Sequence, residues 1–299
     1  MSTGDFSTTL NYCVPFPTYD PKDPLVKYVF DPPPGIPKQN FELQPFPATI
    51  HDLRNANGVS DIEQLVSLDV HGFQFVNNES KEKDFDDEEG FKDGYYKEVE
   101  QLVLDKVPGA KKVVIFDHTL RRLAKEPTAR QATSNDRGPI LRVHIDQTLN
   151  AVYNRVRRHL PSEDAERLLS SKTRVRLINV WRPIQNTVAH NPLALADWRS
   201  VDGNHDLLDT RRVLEGAVVP EPNGGLYNVR HNEKHQWYYL SNQTPEEVTF
   251  IQCCDSKVVE EGAAGAVGAP HTSFNDTRSP PEAPRRQSIE VRCLVFDAE

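Results

Sequence analysis

The sequence predicts a mainly β protein, a mostly antiparallel sheet or barrel with flanking helices. Three observations carry that expectation. Short runs rich in β-branched and aromatic residues dominate the second half of the chain. Helical spacing is concentrated between Leu149 and Leu169. Strict alternation of strands and helices is absent. The Gly-rich stretch Gly262 to Gly268 lacks the Gly-x-Gly-x-x-Gly spacing of a dinucleotide-binding fold, and no clear helix follows it.

The elements follow in order. Residues 1–50 are proline-rich, with Pro15, Pro17, Pro21, Pro24, Pro32 to Pro34, Pro37, Pro45 and Pro47. Proline lacks a backbone donor, so this stretch is expected to be neither helix nor central strand. Its interleaved aromatics, Tyr12 to Phe46, predict an extension packed on a body at 51–299 rather than a disordered tail. Ser60-Asp61-Ile62-Glu63 reads as a capping box opening a short helix. Lys81 to Glu89 is a solvated loop or helix start, Glu98 to Asp105 is weakly helical, and Lys111 to Phe116 is a buried strand. Leu120 to Lys125 reads as a helical turn, and Arg130 to Pro139 as a loop. Leu141 to Asp146 alternates as a strand. Leu149, Val152, Tyr153, Val156 and Leu160 form a helical stripe that breaks at Pro161. Val175 to Trp181 is a strand ended at Pro183. Gln236 to Leu240 and Val248 to Gln252 read as strands around a Thr244-Pro245 turn, and Gln287 to Phe296 as the last strand.

Composition narrows the function classes. The 299 residues carry a net charge of −9. That disfavours a dedicated nucleic-acid binder, which needs basic surface to displace counterions. No run reaches the ~18 apolar residues of a membrane span. The N-terminus lacks signal-peptide regions. Cys13, Cys253, Cys254 and Cys293 form no CxxC pair, so neither a disulfide framework nor a structural zinc site is expected. The expectation is a soluble, cytoplasmic protein with no nucleic-acid or membrane partner. Its oligomeric state is not fixed by the sequence.

Two motifs point to chemistry. In His144-Ile145-Asp146, residues i and i+2 of a strand share a face, so an imidazole and a carboxylate project together. With one more histidine they would form a two-His, one-carboxylate triad suited to Fe(II), which leaves coordination positions open. Pro270-His271-Thr272-Ser273-Phe274 follows the Gly/Ala loop. Near the C-terminus, Arg286 and Ser288 share a strand face. A guanidinium fork and a hydroxyl are the donors that the distal carboxylate of 2-oxoglutarate needs.

The order His-x-Asp, His, Arg-x-Ser resembles the Fe(II)/2-oxoglutarate-dependent oxygenases. More narrowly, the chain is similar to the fungal gibberellin desaturase-type hydroxylases and desaturases, which are related to the cephem methoxylase component. The narrower likeness rests on Val143 to Thr148, Asn179 to Ile184, Pro192 to Asp197, His235 to Tyr239, Cys254 to Ser256, Pro270 to Phe274 and Arg286 to Arg292. The resemblance implies a double-stranded β-helix (jelly-roll) core and His144, Asp146 and His271 as catalytic iron ligands. It implies Arg286 with Ser288 as the 2-oxoglutarate anchor, with Arg292, on the same strand face, in reserve. It further implies hydroxylation, desaturation or cyclisation of a small specialised metabolite, using oxygen and releasing succinate.

Several readings stay open at this point. The gap from His144 to His271 is wider than in many plant-type members, and an insertion holding Trp181 to Asp206 and the Trp237 region would explain it. Arg182 either reaches the pocket mouth to bind a carboxylate or pairs structurally with Asp197 or Glu290. His231 and His235 have helix-like metal spacing but run straight into a strand, so they are expected to bind no metal. His205-Asp206 with Asp202 reads as a solvated loop. The alternatives to a 2-oxoglutarate-dependent enzyme are an iron oxidase of the same fold and a non-catalytic barrel acting as a binding partner.

Overall fold

The computed structural model describes residues 3–298 apart from 21, 55, 59, 123–137 and 214–224. The proline-rich stretch forms strands: β1 (Phe6–Pro15), β2 (Leu25–Tyr28) and β3 (Phe41–Asp52). β1 pairs antiparallel with β3, from Phe6 opposite Ile50 to Pro15 opposite Phe41. On the other side of β3, the strand Trp237–Tyr239 pairs only with Ile50 to Asp52. That ladder starts past Pro45 and Pro47 and never needs their missing donors. β3 is thus an edge strand along its proline half and an interior strand at its end, which the bar on central strands did not anticipate.

The expected helix at Ser60 is a single 3-10 turn over Ile62–Gln64, capped one residue later by Asp61, which accepts from Glu63 N. α1 (Leu68–His71) is one turn ended by Gly72 at φ 85°, and β4 (Phe73–Asn77) follows. α2 (Glu88–Lys106) begins ten residues before the stretch that looked helical. Phe91, Tyr95, Val99 and Leu102 bury one face of it, and its acidic start masks that stripe in the sequence. β5 (Lys112–Arg122) runs past Phe116 through Leu120 to Arg122, where a helical turn was expected. Leu123 to Lys125, and residues 130–137 of the expected loop, lie outside the described residues.

β6 is only His144–Ile145. α3 (Leu149–His159) and α4 (Ser162–Ser170) break at Pro161 as the stripe predicts, and Thr148 Oγ1 caps α3 by accepting from Ala151 N. Then come β7 (Val175–Pro183), β8 (Leu193–Ala196), β9 (Leu207–Val213), β10 (Leu226–Val229), β11 (Trp237–Tyr239) and β12 (Glu247–Asp255). α5 (Ser256–Glu261), β13 (His271–Ser273) and β14 (Gln287–Phe296) complete the chain.

The strands form two sheets, in the orders β4-β12-β7-β14-β5 and β1-β3-β11-β8-β13-β6-β10-β9-β2. From β5 to β8, and again from β11 to β14, the chain alternates between them. Four strands of one sheet thereby face β11-β8-β13-β6 of the other, which is the winding of a jelly roll. β11 and β12 are accordingly not a hairpin around Thr244-Pro245; they belong to different sheets. Trp181 and Trp237 lie in barrel strands, so they are not part of an insertion. Between the two histidine motifs, β9 and β10 extend the larger sheet beyond β6.

Three apolar clusters fix these layers. Phe73, Leu177, Trp181 and Leu195 are among those packed together between elements of the two sheets. Val99 and Leu102 of α2 pack with Ile178, Val180, Phe250 and Val291 of the smaller sheet. Leu10 and Tyr12 of β1 pack with Val143, Ala196 and Trp237. The four cysteines are buried and free. Among the described residues no helix is long and apolar enough to cross a membrane.

Candidate metal centre and anion pocket

His144 and His271 sit directly opposite each other where β6 pairs with β13. Their ring centroids are 4.5 Å apart. Asp146, two residues along, brings Oδ1 to 3.4 Å from His144 Nε2. One ligand atom from each of the three lies within 4.8 Å of the others. Each imidazole is oriented by its own backbone. His144 Nδ1 donates to Arg142 O at 2.8 Å, and His271 Nδ1 to Ala269 O at 3.0 Å. A carbonyl can only accept, so both protons sit on Nδ1 and both Nε2 lone pairs are free for a metal.

Asp146 is oriented from behind. Its Oδ2 accepts from Asn179 Nδ2 at 2.7 Å and from Arg292 Nε at 3.1 Å, which leaves Oδ1 on the histidine side. Burial works against its ionisation, but the Arg292 guanidinium holds its carboxyl well below the usual range. Burial, with the charge of His271, pulls His144 down to about 4. At neutral pH His144 is therefore a neutral imidazole beside a carboxylate, and with His271 Nε2 the cluster offers two nitrogens and an oxygen, a donor set for a divalent first-row metal.

Beside it opens a small pocket lined by the three side chains and by Arg121, Ile140, Trp181, Leu193, Ser273, Arg286 and Glu290. Arg286 is 5% exposed and has no carboxylate partner among the described residues. Its NH1 donates to Asn191 O at 2.5 Å and Ser273 Oγ at 2.7 Å, and its Cζ lies 5.6 Å from the Trp181 ring centroid. Burial, and then the neighbouring charge of Arg121, push it down to about 9. Ser288, two residues along the same strand face, has a buried Oγ without a hydrogen-bond partner. A buried guanidinium with no carboxylate partner and a buried hydroxyl with no hydrogen-bond partner are both costly, and a bound carboxylate would satisfy both.

Two of the expected anchors serve other ends. Arg292 is held by Asp146, by Glu290 Oε1 at 2.5 Å, by Asp117 Oδ2 at 3.1 Å and by Thr119 Oγ1 at 3.0 Å. It orients a carboxylate of the metal cluster and is not available to a ligand. Arg182 follows Trp181 on β7 and points to the other side of the sheet. It donates to Tyr95 Oη at 3.1 Å and to Asn78 O and Pro245 O, both at 2.7 Å, and it also bonds Asn78 Oδ1. It reaches neither the pocket mouth nor Asp197 and Glu290, which Arg199 and Arg292 hold.

Other expectations resolve as structure. His235 is buried between Asp206 (3.0 Å) and Tyr12 (3.2 Å), and His231 stacks on Phe46. Asp206 is thus a buried partner rather than part of a solvated loop. Trp237 and Tyr239 are buried, while Tyr238 between them is half-buried. Asp255 caps α5 and pairs with Arg174, and Ser256 Oγ accepts from Val175 N. Arg121 escaped the sequence reading, in which Asn179 stood only within a family segment and Glu290 only as a structural partner. For Arg121 the signal was the alternation of β5, hidden by the expected helical turn.

The fold and this site define an oxidoreductase of the non-heme iron type. Residues 10–296 match a family model described as an Oxidoreductase/YMDC permease-like domain. The chain is 36% identical over 281 residues to the hydroxylase/desaturase efuI of Hormonema carpetanum, covering 88% of this chain and 86% of the relative. It is 32% identical over 276 residues, 90% of each chain, to the Fe(II)/2-oxoglutarate-dependent dioxygenase nvfI of Aspergillus novofumigatus. The solved structure of the iron and alpha-ketoglutarate-dependent endoperoxidase NvfI superposes with a TM-score of 0.81 at 28% identity, covering 100% of both chains. The chain belongs to the Fe(II)/2-oxoglutarate-dependent oxygenases, among the fungal hydroxylase/desaturases. The expected class, jelly-roll fold and cofactor pair are borne out.

Proposed function

We propose that His144, Asp146 and His271 hold Fe(II) and that Arg286 with Ser288 holds the distal carboxylate of 2-oxoglutarate. The reaction is hydroxylation, desaturation or oxidative cyclisation of a small specialised metabolite. The observation that carries this is the pairing, in one cavity, of a His/Asp/His cluster with a buried guanidinium that has no carboxylate partner among the described residues.

Bound together, Fe(II) and 2-oxoglutarate supply oxygen activation coupled to decarboxylation to succinate. The protein's part is positional. Arg142 and Ala269 carbonyls fix the imidazole tautomers, and Arg292 with Asn179 fixes the carboxylate rotamer. Trp181, Leu193 and Ile140 wall the cavity with apolar surface that excludes water from the reacting centre. The proposed partners are the metabolite and oxygen; the acidic chain supports a cytoplasmic setting without nucleic-acid or membrane contacts. Succinate release from 2-oxoglutarate tests the reading. It should require Fe(II) and fall at least about 100-fold in His271→Ala; metal-independent release would refute it.

A further inference from the structure

Given the reading of Arg286 as the cosubstrate anchor, we propose that the substrate is a carboxylic acid and that Arg142, with Arg212 and Lys27, receives its carboxylate beside the metal centre. Ile140, Arg142 and His144 alternate along one side of an extended segment. Leu141 between them is exposed and Val143 packs with Leu10 and Tyr12, while Ile140 and His144 line the metal pocket. Arg142 therefore belongs to the pocket side, two residues from a metal ligand. Its Nε is buried without a hydrogen-bond partner. Lys27 stands directly beside Arg212 where β2 pairs with β9, and like charges so placed repel. Among the described residues none of these three cations forms an ion pair.

The neighbouring groups do not cancel this excess of positive charge. Asp146 favours the charge of Arg142, but its Oδ2 is bonded to Asn179 and Arg292 and its Oδ1 faces His144. The Cys13 thiol near Arg142 stays protonated, pushed up to about 12 by burial. Burial, and then the charges of Arg142 and Arg212, push Lys27 down, so the three cations act on one another. An anion relieves them, and a carboxylate also gains a fork from a guanidinium. On the reading above, the two carboxylates of 2-oxoglutarate are already placed, one at the metal and one at Arg286. The third comes from the substrate. Held at Arg142, it fixes which C–H bonds lie near the metal.

The full chain, loaded anaerobically with Fe(II) and 2-oxoglutarate so that Arg286 is occupied, tests this without turnover. The probes are benzoate and its neutral isostere benzamide, read as shifts of the thermal unfolding midpoint. Millimolar benzoate should raise the midpoint by about 2 °C, and benzamide should not. Arg142→Gln should remove that shift, and Arg142→Lys, which keeps the charge and loses the fork, should retain part of it. Arg212→Gln, at an exposed position, should reduce the shift and carries the test if the Arg142 variants do not fold. In urea, the metal-free Arg142→Gln protein should unfold at the native midpoint or above it, because an unpaired cation has been removed. Equal shifts with both probes, a shift with neither, or a benzoate shift that survives Arg142→Gln overturns the inference. So does a lowered urea midpoint, which marks a structural arginine. The visible charge-transfer band of bound 2-oxoglutarate separates the two levels. If it is present while benzoate has no effect, only the substrate inference fails; if it is absent from the loaded native protein, the cosubstrate reading fails and this inference falls with it.

Discussion

Arg292 and Arg182 show how the same residue type serves different ends within one barrel. Arg292 is mostly buried among three carboxylates, those of Asp117, Asp146 and Glu290. Its hydrogen bonds point Asp146 at the metal position, and its charge keeps that carboxylate ionised. Arg292→Met strands the two buried carboxylates, Asp146 and Glu290. It should cost about 3–5 kcal/mol in urea unfolding of the metal-free protein and weaken Fe(II) binding about tenfold or more. Iron affinity unchanged in that variant would remove Arg292 from the site. Arg182→Met should also destabilise, through its orphaned partners Tyr95 and Asn78, yet leave 2-oxoglutarate binding intact. Strand alternation told that Trp181 and Arg182 face opposite ways, but not which of them faces inward. That choice is made by the neighbouring strands.

At the scale of elements, the N-terminal ribbon is part of the sheet. Tyr12 on β1 accepts from Trp237 Nε1 at 2.8 Å and meets His235 at 3.2 Å, joining residues more than two hundred positions apart. Tyr12→Phe leaves a buried indole N–H and a buried imidazole nitrogen without partners. It should lower unfolding free energy by about 1–3 kcal/mol; a loss below about 0.5 kcal/mol would mean the ribbon is only loosely attached. Elements with continuous internal patterns were legible from sequence. β14 has the predicted bounds because Ile289, Val291, Cys293 and Val295 alternate along it without a break, and α3 and α4 separate where Pro161 removes a donor. β6 and β13, with two and three residues, are too short to carry a period. Their positions are set by each other and by β8, which is why His271 was legible only as a motif and the strand expected over Leu141 to Asp146 shrinks to His144–Ile145.

Across the whole molecule, an acidic chain gathers cations at its centre. The net charge is −9, yet Arg286 lines the cavity and Arg292 stands behind it. This arrangement favours a dianionic cosubstrate, because positive groups in a low-dielectric cleft attract it more strongly than exposed charge would. The motif order along the sequence named the metal cluster and Arg286, since i, i+2 spacing survives any barrel topology. It did not name Arg121, whose place opposite Ser288 exists only once β5 and β14 are paired. The most direct test is anaerobic titration of the Fe(II)-loaded protein with 2-oxoglutarate, followed by the weak visible charge-transfer band of the chelate. The band should grow to saturation in the native protein and in Arg182→Met, and be lost in Arg286→Ala. Iron that binds without a band, or a band that survives in Arg286→Ala, would contradict the assignment of metal and anchor to these residues.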